Sequence, residues 1–109
     1  MMDTLRLITV IPCYNEEVVV GETYHKIIDL YGRMIEECLI SNDSKLLFVD
    51  DGSADNTWSM IMSFHEQDNC VCGVKLASNV GQQNALLAGF SLAVKEADVL
   101  VSIDACVFR

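Results

Sequence analysis

The chain opens with a β-rich run, Leu5-Arg6-Leu7-Ile8-Thr9-Val10-Ile11, that halts at Pro12 and predicts a first strand. From about Glu17 to Leu39 apolar residues fall at Val20, Tyr24, Ile27, Ile28, Tyr31, Ile35, Cys38 and Leu39, the spacing of one helix face. Ser41 to Ser44 reads as a turn. Leu46-Leu47-Phe48-Val49 is apolar throughout, as expected of a strand covered on both sheet faces. Asp55 can cap the next helix, whose buried stripe is expected at Trp58, Ile61, Met62 and His65. Val71 to Leu76 predicts a third strand. Gly81 to about Lys95 reads as a helix apolar nearly all round, and hence buried. Val99 to Ile103 predicts a fourth strand, which ends at Asp104.

Strand and helix thus alternate as β-α-β-α-β-α-β, with no repeat, linker or low-complexity segment. The fold class this predicts is α/β, an open and mainly parallel sheet with helices on both faces and right-handed crossovers. The pattern stops four strands in, on an exposed strand edge, and so reads as unfinished.

Composition narrows the function. A length of 109 residues with 51% hydrophobic content and one proline describes a single packed domain. Seven basic residues against sixteen acidic ones give a net charge of -9, which argues against a nucleic-acid partner. A diphosphate ligand would need a cation to mediate, for which a divalent metal is the simplest candidate. The five cysteines, Cys13, Cys38, Cys70, Cys72 and Cys106, show no paired C-x-x-C and read as reduced thiols of a cytoplasmic protein. No signal peptide and no apolar stretch of about 18 residues is present, so no membrane span is expected in this chain. A fuller form could still sit at the cytoplasmic face of a membrane.

Ligands of open parallel sheets bind at the carboxyl ends of the strands. The segments expected there are Pro12-Cys13-Tyr14-Asn15-Glu16-Glu17, Asp50-Asp51-Gly52-Ser53-Ala54-Asp55, Ala77-Ser78-Asn79-Val80-Gly81-Gln82 and Asp104. Carboxylates from separate loops would gather at one edge, at a cost in self-repulsion unless a cation or hydrogen-bond donors offset it. A blander reading makes Asp50, Asp51 and Asp55 turn and cap residues, and for Asp55 that reading is preferred.

Three motifs, Pro12-Cys13-Tyr14-Asn15-Glu16, Val49-Asp50-Asp51-Gly52-Ser53-Ala54-Asp55-Asn56-Thr57 and Asn79-Val80-Gly81-Gln82-Gln83-Asn84-Ala85, resemble family 2 glycosyltransferases of the GT-A fold. Within them the likeness is greatest to dolichyl- and bactoprenyl-phosphate sugar transferases, and it extends to Asp104-Ala105. The resemblance implies transfer of a sugar from a UDP- or GDP-sugar to an acceptor such as a polyprenyl phosphate. It implies that Pro12, Tyr14 and Glu16 cradle the nucleotide. Asp51 would accept an N–H from the base, with Gly52 allowing close backbone approach and Ser53 bonding its own turn. Asn79, Gly81 and Gln82 would face the ligand from a helix N-terminus. Asp104 would be the first acid of a D-x-D motif and a ligand of Mg²⁺ or Mn²⁺. Cys106 stands where the second acid belongs, a soft donor that would weaken such a site. The run Ala105-Cys106-Val107-Phe108-Arg109 leaves the family pattern. It implies a chain truncated after Asp104, inactive alone because the acceptor site and catalytic base lie further on.

Two other functions are compared with this one, an inactive nucleotide-binding fragment and a receiver-like signalling domain. Against the receiver, the acidic pair follows the second strand rather than the first. Phosphate-loop and dinucleotide motifs are absent. Bland readings cover the remainder: His65 as a satisfied core histidine, His25 and Glu36-Glu37 as solvated, Trp58 as core, and Met34, Met60 and Met62 as packing.

Overall fold

A computed structural model describes residues 4–104. The elements are β1 Leu7–Cys13, α1 Val20–Glu36, β2 Lys45–Asp50, α2 Thr57–Gln67, β3 Val71–Lys75, α3 Gln82–Ala93 and β4 Val99–Ser102. The strands form one sheet in the order β3-β2-β1-β4, and every neighbouring pair is parallel. The chain therefore builds outward from β1 to β3, then returns across the sheet to place β4 on the other side of β1. The α/β class and its parallel sheet are as the alternation predicts.

Helices α1 and α2 cover one face, packing on Leu7, Ile11, Leu46 and Phe48. Helix α3 covers the other, against Ile8, Val10, Leu47 and Val49. On the first face Tyr24 stacks on Phe64 with ring centroids 4.1 Å apart, and its hydroxyl donates to Asp68. Tyr31 bridges the helix to two strands: it lies 2.7 Å from Thr9 Oγ1 and donates to the Lys45 carbonyl at 2.9 Å. Burial pushes both phenols up to about 12, for Tyr24 with help from the Asp68 carboxylate and for Tyr31 against the bond from Thr9.

Four details differ from the sequence reading, each for a local reason. β1 passes through Pro12 to Cys13 instead of halting at Pro12. The carbonyls of Arg6 and Val10 face β4, so by alternation Pro12 does too, and β4 has already ended opposite Val10. A missing N–H there costs no ladder bond. Helix α1 ends at Glu36, short of Leu39, because Cys38 takes φ 60°. Leu39 N then reaches Met34 O and Cys38 N reaches Ile35 O, the paired bonds of a left-handed C-terminal cap.

The buried face of α2 is Thr57, Ile61 and Phe64, rotated from the expected stripe. Met62 is exposed, Trp58 is half-buried, and His65 lies outside the core with Nδ1 2.6 Å from the edge carbonyl of Val71. Phe64 draws the helix round, since its ring fills the space between Tyr24 and Phe48. Finally, α3 is not buried all round. Its inner stripe is Ala85, Gly89 and Ala93, while Leu87 and Leu92 are 61% and 55% exposed. Small residues let the helix sit close to the sheet: a Cβ on Gly89 would lie 2.5 Å from Val10 Cγ1. Among the described residues nothing covers its outer face.

Candidate functional site

Because all four strands are parallel, the segments that follow them emerge at one edge. They enclose a cleft of about 350 Å³ lined by Pro12, Cys13, Tyr14, Glu16, Asp51, Asn79, Gly81, Gln82 and Asp104. It lies at the carboxyl end of β1, where the strand order reverses between β2 and β4. Of the residues singled out in the sequence, Pro12, Tyr14, Glu16, Asp51, Asn79, Gly81, Gln82 and Asp104 meet on this cleft, and Gly52 and Ser53 do not. Cys13 lines it too, a residue read only as a reduced thiol. Its Sγ lies 3.6 Å from the Ile11 carbonyl, so it serves as wall. The inward direction of Cys13 follows from the strand continuing past Pro12, which the sequence did not reveal.

The loop after β2 (residues 51–56) organises its neighbours. Ser53 Oγ accepts the Asn15 N–H at 2.9 Å, so it holds the first loop instead of bonding its own turn. Asn15 Oδ1 in return accepts Ala54 N–H at 2.8 Å. Asn15 takes φ 51°, a left-handed conformation that asparagine tolerates better than most residues. Thr57 Oγ1 accepts the Glu16 N–H at 2.9 Å and donates to Asp55 Oδ1 at 2.6 Å. Asp55 also accepts the Thr57 N–H at 2.9 Å and the Glu17 N–H at 3.3 Å. It is not the expected cap, since α2 starts from Asn56, whose side chain makes no cap bond, and Asp55 stands one residue earlier as a turn residue. Desolvation opposes ionisation of Asp55, but the hydrogen bonds from Thr57 and Glu17 outweigh it and hold the carboxyl below its ordinary range.

On the other side the same loop grips the third. Asp51 is 2% exposed, and its carboxylate accepts Val80 N–H at 2.8 Å, Gly81 N–H at 3.0 Å and Asn79 Nδ2 at 3.1 Å. Asn79 Nδ2 is also 3.1 Å from the Asp51 carbonyl. Gly52, at φ 72°, brings the two main chains into contact: a Cβ there would lie 2.7 Å from Asn79 N. Its freedom thus serves loop against loop. Asp50, the preceding acid, is no turn residue. It ends β2, fully buried, with neither carboxylate oxygen hydrogen-bonded among the described residues.

The cleft is acidic, with Glu16, Asp51 and Asp104 on its wall and, among the described residues, no Lys or Arg. Gln82 Nε2 donates to Asp104 Oδ2 at 3.5 Å. No group of three or more His, Cys, Asp or Glu side chains among the described residues could hold a metal by itself. Asp104 supplies one hard oxygen donor. That fits an Mg²⁺-type ion completed by ligand phosphates, and does not fit an ion held by protein alone. Cys106 lies outside the described residues. No helix among them is long and apolar enough to cross a membrane.

The family described as Glycosyl transferase family 2 matches residues 8–105. An uncharacterized glycosyltransferase of Bacillus subtilis (strain 168), YkoT, is 50% identical over 99 residues, covering 91% of this chain and 29% of that protein. The undecaprenyl-phosphate 4-deoxy-4-formamido-L-arabinose transferase of Proteus mirabilis (strain HI4320) is 36% identical over 98 residues, covering 88% of this chain and 27% of that protein. Among solved structures, the mannosyltransferase PcManGT from Pyrobaculum calidifontis, in complex with GDP-Man and Mn²⁺, matches with a TM-score of 0.70 at 23% identity, covering 94% of this chain and 28% of that one. The fold is shared, and the chain spans between a quarter and a third of the length of these relatives.

Proposed function

We infer, since the chain belongs to glycosyltransferase family 2, that its cleft binds the nucleoside diphosphate of a UDP- or GDP-sugar donor for sugar transfer to a polyprenyl phosphate. The observation that carries this reading is the convergence of Tyr14, Gly81-Gln82 and Asp104 on one cleft at the strand-order reversal. Tyr14, half-exposed, offers an aromatic face to the base, with Pro12 and Glu16 bordering it. The diphosphate lies toward Gly81 and Gln82, where the first N–H groups of α3 have no intrahelical partners. Asp104 sits with the ribose and one divalent ion. That ion, when bound, would stabilise charge on the departing nucleoside diphosphate. The polyprenyl acceptor is carried over from the Proteus relative's name, and the donor class from the resemblance.

The loops that line the cleft are held in place by hydrogen bonds to one another, which spares a ligand part of the ordering cost of binding. Titration calorimetry with UDP, GDP and CDP, with and without Mn²⁺, tests the reading. Binding of UDP or GDP in the micromolar to millimolar range supports it, and Asp51→Ala should weaken that binding. The absence of measurable affinity for any nucleoside diphosphate would remove it. Sugar transfer to a lipid phosphate separates an active enzyme from an inactive nucleotide-binding chain.

A further inference from the structure

We propose that Asn15 is a positioning residue, clasping the first loop to the second so that Tyr14 and Glu16 face the nucleotide. Tyr14 and Glu16 line the cleft, and Asn15 between them does not. Its φ of 51° turns the chain, and its side chain reaches back to the loop after β2. There Oδ1 accepts the Ala54 N–H at 2.8 Å, while the Asn15 N–H donates to Ser53 Oγ at 2.9 Å. A plain turn residue would need the left-handed φ alone. These bonds instead reach 38 and 39 residues along the chain. The next two N–H groups, of Glu16 and Glu17, go to Thr57 Oγ1 and Asp55 Oδ2 on the same side. Three successive peptides are thus held by one neighbouring segment, and Asn15 opens the row. The Tyr14 ring is 49% exposed, so it takes its direction chiefly from the main chain that carries it. Two demands meet at position 15, a positive φ and an acceptor for Ala54. Glycine meets the first, aspartate meets both, and alanine meets neither.

The ligand side of this proposal rests on the nucleoside-diphosphate reading above, whereas the clasp can be tested without any ligand. In Asn15→Ala and Asn15→Gly, amide hydrogen exchange at Ala54 should quicken about fivefold, while the amides of β1 and β2 keep their protection. Asn15→Asp should exchange within about twofold of the parent. UDP affinity should fall about fivefold in Asn15→Ala and about threefold in Asn15→Gly, and Asn15→Asp should restore it to within about twofold. NMR at saturating UDP then separates positioning from a general loss of structure. In Asn15→Ala the UDP-induced shifts of the Gly81 and Gln82 amides should persist, while those of the Tyr14 ring protons shrink by about half or more. Equal loss at both ends of the cleft, or an Asn15→Asp chain that exchanges like Asn15→Ala, overturns the proposal. If the parent binds no nucleoside diphosphate, the functional reading fails and the exchange series alone decides the clasp. Should the Asn15 variants not fold, Ser53→Ala removes the other half of the clasp. It should quicken exchange at Asn15 about threefold, and no change there sinks the proposal.

Discussion

Gly52 combines a left-handed φ with a Cβ direction closed off by the main chain of Ser78 and Asn79. Main chain at a packed loop junction cannot step aside as a flexible side-chain end can. Gly52→Ala should therefore cost about 1–3 kcal/mol in thermal or urea unfolding and weaken UDP binding, because the second and third loops must part. Asp50 calls for the opposite expectation. Among the described residues its buried carboxyl has no hydrogen-bond partner, a standing penalty of about 1–3 kcal/mol, and it does not line the cleft. Asp50→Val, apolar and β-branched on a buried strand, should raise stability by about that amount and leave UDP affinity within about twofold. A less stable variant would show that the carboxyl has a role in folding. The two neighbouring acids look alike in sequence. One grips the loop after β3 through hydrogen bonds and the other is a strand end without a hydrogen-bond partner among the described residues, and only the register of β2 against that loop separates them.

The elements themselves were largely legible, because strand and helix periods differ and the turn residues between them are distinct. What stayed hidden depended on partners far along the chain. The rotation of α2 is set by Phe64 meeting Tyr24 and Phe48, and the outer face of α3 is apolar yet uncovered among the described residues. The Ser53, Asp55 and Thr57 bonds to the first loop span some forty residues, so no local pattern announces them. The end of α1 offers a direct test. Cys38 is exposed and left-handed, the C-terminal cap position where glycine carries no Cβ penalty. Cys38→Gly should stabilise the chain by about 1 kcal/mol in chemical denaturation, and a loss would mean the thiol makes a contact of its own. Tyr24 and Tyr31, which join α1 to α2 and to the sheet, give a pH dependence. Both phenols are raised from 10.0 to about 12, so the folded state favours their neutral forms. Their contribution is complete below pH 10 and is lost as pH rises from about 10 to 12, where the unfolded chain ionises first. Alkaline unfolding should coincide with tyrosinate absorbance in that window, and Tyr31→Phe should shift its midpoint.

At the scale of the whole molecule the decisive quantity is charge. The chain carries a net charge of -9, and the cleft wall adds Glu16, Asp51 and Asp104 with no described Lys or Arg beside them. A diphosphate entering such a site meets repulsion from the wall and from the surrounding field. The Val80 and Gly81 N–H groups are already spent on the Asp51 carboxylate, which leaves the first turn of α3 as the main counterweight. One hard donor, Asp104, would not retain Mn²⁺ alone, so an ion held there would need donors from the ligand's phosphates as well. Metal and nucleotide should therefore bind as a coupled pair. Calorimetry should show no heat for about 1 mM Mn²⁺ by itself, and UDP affinity should rise at least about tenfold when Mn²⁺ is saturating. Linkage requires the same factor in reverse, so UDP must raise Mn²⁺ affinity equally. Asp104→Ala should abolish the coupling while metal-free UDP binding stays the same or strengthens slightly, since one repelling charge is gone. Added salt should help metal-free binding by screening the wall and should help the metal-loaded complex less. Equal UDP affinity with and without Mn²⁺ in the parent chain would mean that the acidic wall is offset by the protein's own donors, and that Asp104 holds no ion.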